Sequence, residues 1–176
     1  MHQRGIVGAR FGFLGGFHTA FLLARICLEA PPTVSAAMLV RLFFSVYAHW
    51  DWETRIVTVP ISGTAESADV GYRRSKREPM VVLSVEKPQV NMTVNANPNS
   101  VAVMRSVFGE ANRAFDAGLS WRAICGADKR APFERFVEVR KSFVKIDVSY
   151  WGSSCIKGRA WIGWLESRFV GVSGHL

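Results

Sequence analysis

Between Ser35 and Trp50, the apolar residues Leu39, Leu42, Phe43, Val46 and Trp50 recur three or four positions apart and make one broad helical face. Arg41 and His49 fall elsewhere on that wheel. Upstream, Phe17 to Glu29 reads as another apolar helix, ended by Pro31-Pro32 because proline cannot continue a helical ladder. Thr33 or Ser35 then caps the next helix. Two apolar helices joined by a short proline turn predict an antiparallel pair. A third pattern follows the turn-rich "VNMTVNANPNS", with Val101, Met104, Val107, Phe108, Ala111 and Phe115 on one face. Its expected cap is Ser100 or Asn99, and Gly118 stops it.

Outside these helices the periodicity changes. "PMVVLSVEKP", Pro79 to Pro88, reads as a short buried strand or extended segment bounded by prolines. Near the end, Val144, Ile146, Val148 and Tyr150 alternate with Lys145, Asp147 and Ser149, the pattern of a half-buried strand. "SSCIKGRAWIGWLESRFVG" then predicts a helix with Ile156, Ala160, Trp164 and Phe169 facing inward, weakened by Gly158 and Gly163. One strand and one helix cannot close a layer, because the strand's edges need partners. The fold class is therefore α+β and mainly helical. A helical bundle spans residues 1–120, with a long connection at 51–78, and an incomplete αβ part spans 130–176.

The stretch "GFLGGFHTAFLLARIC" imitates a membrane segment. Between Arg10 and Arg25 its uninterrupted apolar span, Phe11 to Ala24, has 14 residues. As a helix that reaches about 21 Å, against about 30 Å of hydrocarbon. His18 lies mid-span, and Gly12, Gly15 and Gly16 weaken a continuous helix there, so no membrane crossing is expected. A cleaved signal has the right length and stays open. Read as soluble structure, the glycines form a close-approach turn into the helix. Tight packing is the commoner reason for such a turn, and phosphate binding on the exposed N–H groups is the functional one.

Composition sharpens this only in places. With 176 residues, 49% of them hydrophobic, the chain can bury a core. A formal charge of +8 suits a polyanionic partner, nucleic acid before an anionic membrane surface, or a merely solvated basic face. Cys27, Cys125 and Cys155 are far apart, with no spacing for zinc or a disulfide framework, which points to a reducing compartment. Cys27, between Ile26 and Leu28, is expected in the core.

The candidate binding chemistry is sparse. Trp50 and Trp52 either plug the end of the bundle, the reading favoured here, or stack on bases. "GYRRSKREP" gathers Arg73, Arg74, Lys76 and Arg77, near Arg55 in sequence, as a phosphate-binding or nuclear-import run or a solvated loop. Asn91-Met92-Thr93 matches a glycosylation sequon, relevant only to a secreted chain. No paired carboxylates, P-loop, nucleophile elbow or HExxH appear, and the His residues are scattered. No catalytic or metal-ligating residue is assigned.

"RGIVGARFGFLGGFHTAFLLARIC" followed by "MLVRLFFSVYAHWDWE" resembles the central domain of the eukaryotic poly(A) polymerases: the GFLGG turn, the ARIC helix end, the proline turn, Phe43-Phe44 and the W-x-W closing the next helix. "PMVVLSVEKPQVNMTVNANPNS" is similar to the segment leading into that domain's last helix. "FERFVEVRKSFVKIDVSYW" with "AWIGWLESRF" resembles the opening of the family's RRM-like RNA-binding domain. The resemblance covers about Arg4 to Phe169.

That resemblance implies a relative or piece of a polynucleotide adenylyltransferase acting in RNA 3′-end polyadenylation in the nucleus, with ATP and Mg²⁺ as cofactors of the intact enzyme and none expected in this chain. Nothing here corresponds to the family's Gly-Ser turn and three metal-binding aspartates, so this chain alone is not expected to catalyse. The Tyr and Asn that contact ATP in the family are replaced by Val7 and Ala9, and the ATP-contacting Lys would precede Met1. Gly15 and Gly16 are retained as nucleotide-binding residues. Phe17 stands where the family has a small Val beside the adenine, and it is expected to fill that pocket rather than stack on a base. RNA binding is expected to be weak and to fall on Arg73, Arg74, Lys76, Arg77, Arg140, Lys141 and Lys145, fading with salt. The competing readings are a helical module docking on a partner protein or a missing catalytic domain, and a small secreted or anchored protein.

Overall fold

The computed structural model describes residues 8–59, 71–124 and 147–173. Three helices carry the core. Helix α1 (Gly16–Glu29) buries Phe21, Leu22 and Ile26, and it ends as Ala30 turns extended ahead of the two prolines. Helix α2 (Ala36–Ala48) starts where the Ser35 hydroxyl accepts from the Met38 amide at 3.3 Å, and it buries Phe43, Tyr47 and Ala48. The two run antiparallel, as the short proline turn requires, and the Tyr47 hydroxyl reaches across to the Leu22 carbonyl at 2.9 Å.

Helix α3 (Pro98–Asp116) lies antiparallel to α2. The Phe43 and Phe44 rings meet Phe108 at 5.7 and 6.0 Å, and Arg41 donates to Asp116 at 3.0 Å. Met104, Phe108 and Ala111 are buried along the predicted face. The cap differs from expectation. Asn97 accepts from the Ser100 amide at 2.9 Å, while Ser100 Oγ accepts from the Asn97 amide at 3.0 Å. Pro98 explains the shift, since proline is preorganised for the first helical position and asks for a cap immediately before it. Gly118, at φ +70°, follows the last turn.

Around this bundle the chain is extended with little ladder. Val57 and Val82 form a parallel bridge, and Leu83 and Asn91 an antiparallel one. Met80 to Leu83 are fully buried, as the proline-bounded run predicted, but only isolated bridges form among the described residues. Trp50 and Trp52, each 3% exposed, close the bundle's end, with Trp52 stacked on Tyr47 at 5.5 Å. Base stacking by these rings is thereby removed. A single turn, α4 (Trp121–Ile124), sets Trp121 edge-on to Phe115 at 5.0 Å.

Two expectations fail on geometry. Cys27 is exposed, because it sits one residue past buried Ile26 and so points about 100° away from the core. Helix α5 (Cys155–Ser173) forms where predicted, yet Ile156 is 81% and Trp164 54% exposed, and Ala160 is exposed too. Gly158 is the buried position there, against the Tyr150 ring. The side chain of Phe169 lies outside the described residues, as do Val144 to Ile146 of the predicted strand. Asp147 to Tyr150 carry no strand pairing. The chain is thus mainly helical. No helix among the described residues is long and apolar enough to cross a membrane.

Candidate nucleotide and nucleic-acid surface

The approach to α1 is built by backbone conformation. Gly12 takes φ +81°, and a Cβ there would sit 2.6 Å from the Asn95 carbonyl oxygen and 3.1 Å from Ser100 Oγ. Only glycine lets this turn press against the start of α3. Gly15 is extended at the cap of α1, and Gly16 opens the helix with open space where a side chain would go. The first-turn amides have no partner within the helix, and they carry its positive dipole end. Phe17 follows at 68% exposure, its ring 6.2 Å from Phe21 and 6.4 Å from His18. It fills no pocket among the described residues.

His18 completes this turn, a role the sequence reading missed. The Gly15 amide donates to His18 Nδ1 at 3.1 Å, which requires a lone pair on that nitrogen. Burial lowers the imidazole's pKa, against a hydrogen bond with the Met92 backbone that raises it. The Thr19 hydroxyl donates back to the Gly15 carbonyl at 3.1 Å. A His three residues beyond a glycine cap was the available signal.

The basic loop is an ordered turn held by Glu78. Its carboxylate accepts from the Ser75 amide at 2.7 Å, from Asn91 Nδ2 at 2.9 Å and from the Tyr72 hydroxyl. Desolvation alone would raise the Glu78 carboxyl, but the bonds from Tyr72, Asn91 and Ser75 outweigh it and hold the carboxyl below its ordinary value. The Tyr72 phenol is pushed up to about 12 by desolvation and by Glu78. Arg73, Lys76 and Arg77 are exposed on this turn. Arg74 is half-buried and donates to the carbonyls of Glu78 and Trp52. The remaining predicted cations, Arg140, Lys141 and Lys145, lie outside the described residues.

Asn91 is structural. It is buried, donates to Glu78 and the Met80 carbonyl, and accepts from Val82, so the folded sequon offers no amide to a sugar. Among the described residues no three His, Cys, Asp or Glu side chains cluster to hold a metal ion, and this donor set does not fit Mg²⁺. Because α1 and α3 both run antiparallel to α2, the glycine turn, the tryptophan plug and the start of α3 share one end of the bundle.

Comparison with known proteins matches residues 1–123 to the poly(A) polymerase central domain. The chain is 29% identical over 172 residues, 94% of its length, to nuclear poly(A) polymerase 1 of Arabidopsis thaliana, covering 23% of that protein. It is likewise 29% identical to a poly(A) polymerase of Dictyostelium discoideum, over 94% of this chain and 20% of the relative. A Candida albicans poly(A) polymerase is 32% identical over 110 residues, 60% of this chain and 20% of the relative. The chain therefore spans about a fifth of the relatives it matches. With its matched glycine turn and tryptophan-closed helix pair, the chain belongs to the poly(A) polymerase central domain family.

Proposed function

We propose that this chain is the nucleotide- and RNA-facing central module of an enzyme that adds AMP to RNA 3′ ends. The observation that supports it is the unobstructed start of α1 at Gly15-Gly16, within the segment matched to the family. A helix start of this kind takes a phosphate on its free amides. In this module Gly15 and Gly16 meet the triphosphate of ATP, and Phe17 stands beside the base. Exposed Arg73, Lys76 and Arg77, with Arg74, Arg140, Lys141 and Lys145, bind the RNA backbone weakly.

The described residues hold no Mg²⁺, and no chemical step is assigned to them. Adenylyl transfer belongs to a domain carrying metal-binding aspartates, which this chain does not supply on its own. Residues 130–176 make part of an RRM-like unit. The exposed Ile156, Trp161 and Trp164 on α5 support that reading, because an apolar helix face needs a covering layer. The nucleus is the proposed location, in keeping with the nuclear polymerases among the relatives.

The reading is tested by adding ATP, then oligo(A), to the labelled chain. ATP is expected to shift the Gly16, Phe17 and His18 amide resonances. Oligo(A) binding is expected to drop several-fold from 50 to 200 mM salt. Amides unmoved by saturating ATP, with oligo(A) binding flat across that range, would reject it.

A further inference from the structure

A groove of about 1030 Å³ lies along the outer side of α3, between the end of α2 and the turn at residues 71–79. Ala102, Ser106 and Gly109, small residues at helical spacing, form its α3 wall, with Arg105 and Arg113 beside them. Two polar atoms of lining residues are buried without a partner. Arg74 commits Nε and Nη2 to main-chain carbonyls, which leaves Nη1 with none. Asn112, 9% exposed, gives Nδ2 to Asp116 at 3.2 Å, and its Oδ1 accepts from nothing. Buried polar groups in folded proteins are almost always paired, so an unmet donor and an unmet acceptor beside one groove point to an occupant.

We infer that the groove takes an extended peptide of a partner protein. One main-chain carbonyl accepts from Arg74 Nη1, one main-chain N–H donates to Asn112 Oδ1, and an acidic side chain meets Lys76 and Arg113. Three features choose this occupant. The volume is at the top of the range for small-molecule sites, about 300–1,000 Å³. From Pro98 to Arg113 the α3 wall is about 22 Å long, room for about seven extended residues. The charges are mixed: Asp51, Glu53 and Glu78 face the same space as the cations. A polyphosphate would meet those carboxylates, whereas an extended main chain offers donors and acceptors in turn.

The test is a display library of random octapeptides selected on the 176-residue chain, with enriched peptides measured by fluorescence anisotropy. Gly109→Phe fills the groove, and it fits because a Cβ at Gly109 meets Arg113 Nη1 at an ordinary 3.5 Å. Ala102→Phe blocks the same wall from another turn and carries the test should the first variant lose its fold. Asn112→Leu removes the acceptor. Enriched peptides are expected to bind all three variants at least tenfold more weakly, with melting and helical content of the folded variants unchanged or raised. Three outcomes overturn the inference: no enrichment, equal binding to the groove-filled variants, or oligo(A) displacing the peptides and being itself weakened by Gly109→Phe.

Discussion

Tyr47 donates its hydroxyl to the Leu22 carbonyl at 2.9 Å, and neither residue has measurable solvent exposure. Burial pushes the phenol's pKa upward, against the pull of the Arg25 charge, so the donor stays protonated. The same ring packs on Phe43 at 5.0 Å, Trp52 at 5.5 Å and Trp50 at 5.7 Å. Tyr47→Phe keeps the packing and loses one hydrogen bond, so urea denaturation should show a loss of about 0.5–1.5 kcal/mol. Tyr47→Ala empties the aromatic cluster, and a loss of about 3–5 kcal/mol is expected. Equal losses from the two would show that the hydroxyl, not the ring, holds α1 to α2.

The glycines of the opening turn should separate cleanly. Gly12→Ala places a Cβ 2.6 Å from the Asn95 carbonyl oxygen at φ +81°, and both faults destabilise. A loss of at least about 1–2 kcal/mol is expected, with weaker docking of the turn on α3. Gly16→Ala meets open space at the first helical position, and it should be neutral or stabilising by up to about 1 kcal/mol. Thermal melting of the two variants side by side decides the matter. A Gly16→Ala loss matching that of Gly12→Ala would mean the start of α1 is not open.

The helices were legible because α1, α2 and α3 each carry one apolar face, and burying that face dominates local preference. Ser35 capped as read, but the α3 cap moved to Asn97 because Pro98 sets the start, a local signal available and not used. The α5 face was misread. Glycines at 158 and 163 and scattered tryptophans leave no dominant stripe, so periodicity alone did not choose a side. The nucleotide turn owed its assignment to the family resemblance, since a Gly-Gly pair alone is a weak signal. His18, Glu78 and the unpaired atoms of Arg74 and Asn112 were invisible for another reason. Each matters through what tertiary packing sets beside it, which no spacing encodes.

Asn91 tests how the basic turn is held. Its Nδ2 lies 2.9 Å from Glu78 Oε1, and its Oδ1 accepts from the Thr93 amide at 2.9 Å. Asn91→Asp keeps the shape and replaces that donor with a second carboxylate against Glu78. A loss of about 2–3 kcal/mol near neutral pH is expected, partly recovered in acid as one carboxyl of the pair is protonated. Asn91→Leu should lose a similar amount with no acid recovery. Denaturation of both at pH 7 and pH 5 checks this, and identical pH profiles would separate Asn91 from the Glu78 network.

His18 makes the cap of α1 sensitive to acid. Its Nδ1 accepts from the Gly15 amide at 3.1 Å, and a protonated ring has no lone pair there to do so. Burial lowers its pKa from the ordinary 6.5, so in the window just below that value the unfolded chain binds a proton that the folded chain resists. The stability tied to the neutral ring is therefore complete above pH 6.5 and lost as pH falls through the lowered folded value. His18→Gln retains an acceptor that does not titrate, and it should flatten this part of the profile while changing neutral-pH stability little. Stability measured by urea denaturation from pH 7.5 to pH 5 gives the comparison. Parallel curves for wild type and His18→Gln would place the acid sensitivity elsewhere, and the phosphate-facing turn would then keep its cap when the solution becomes acidic.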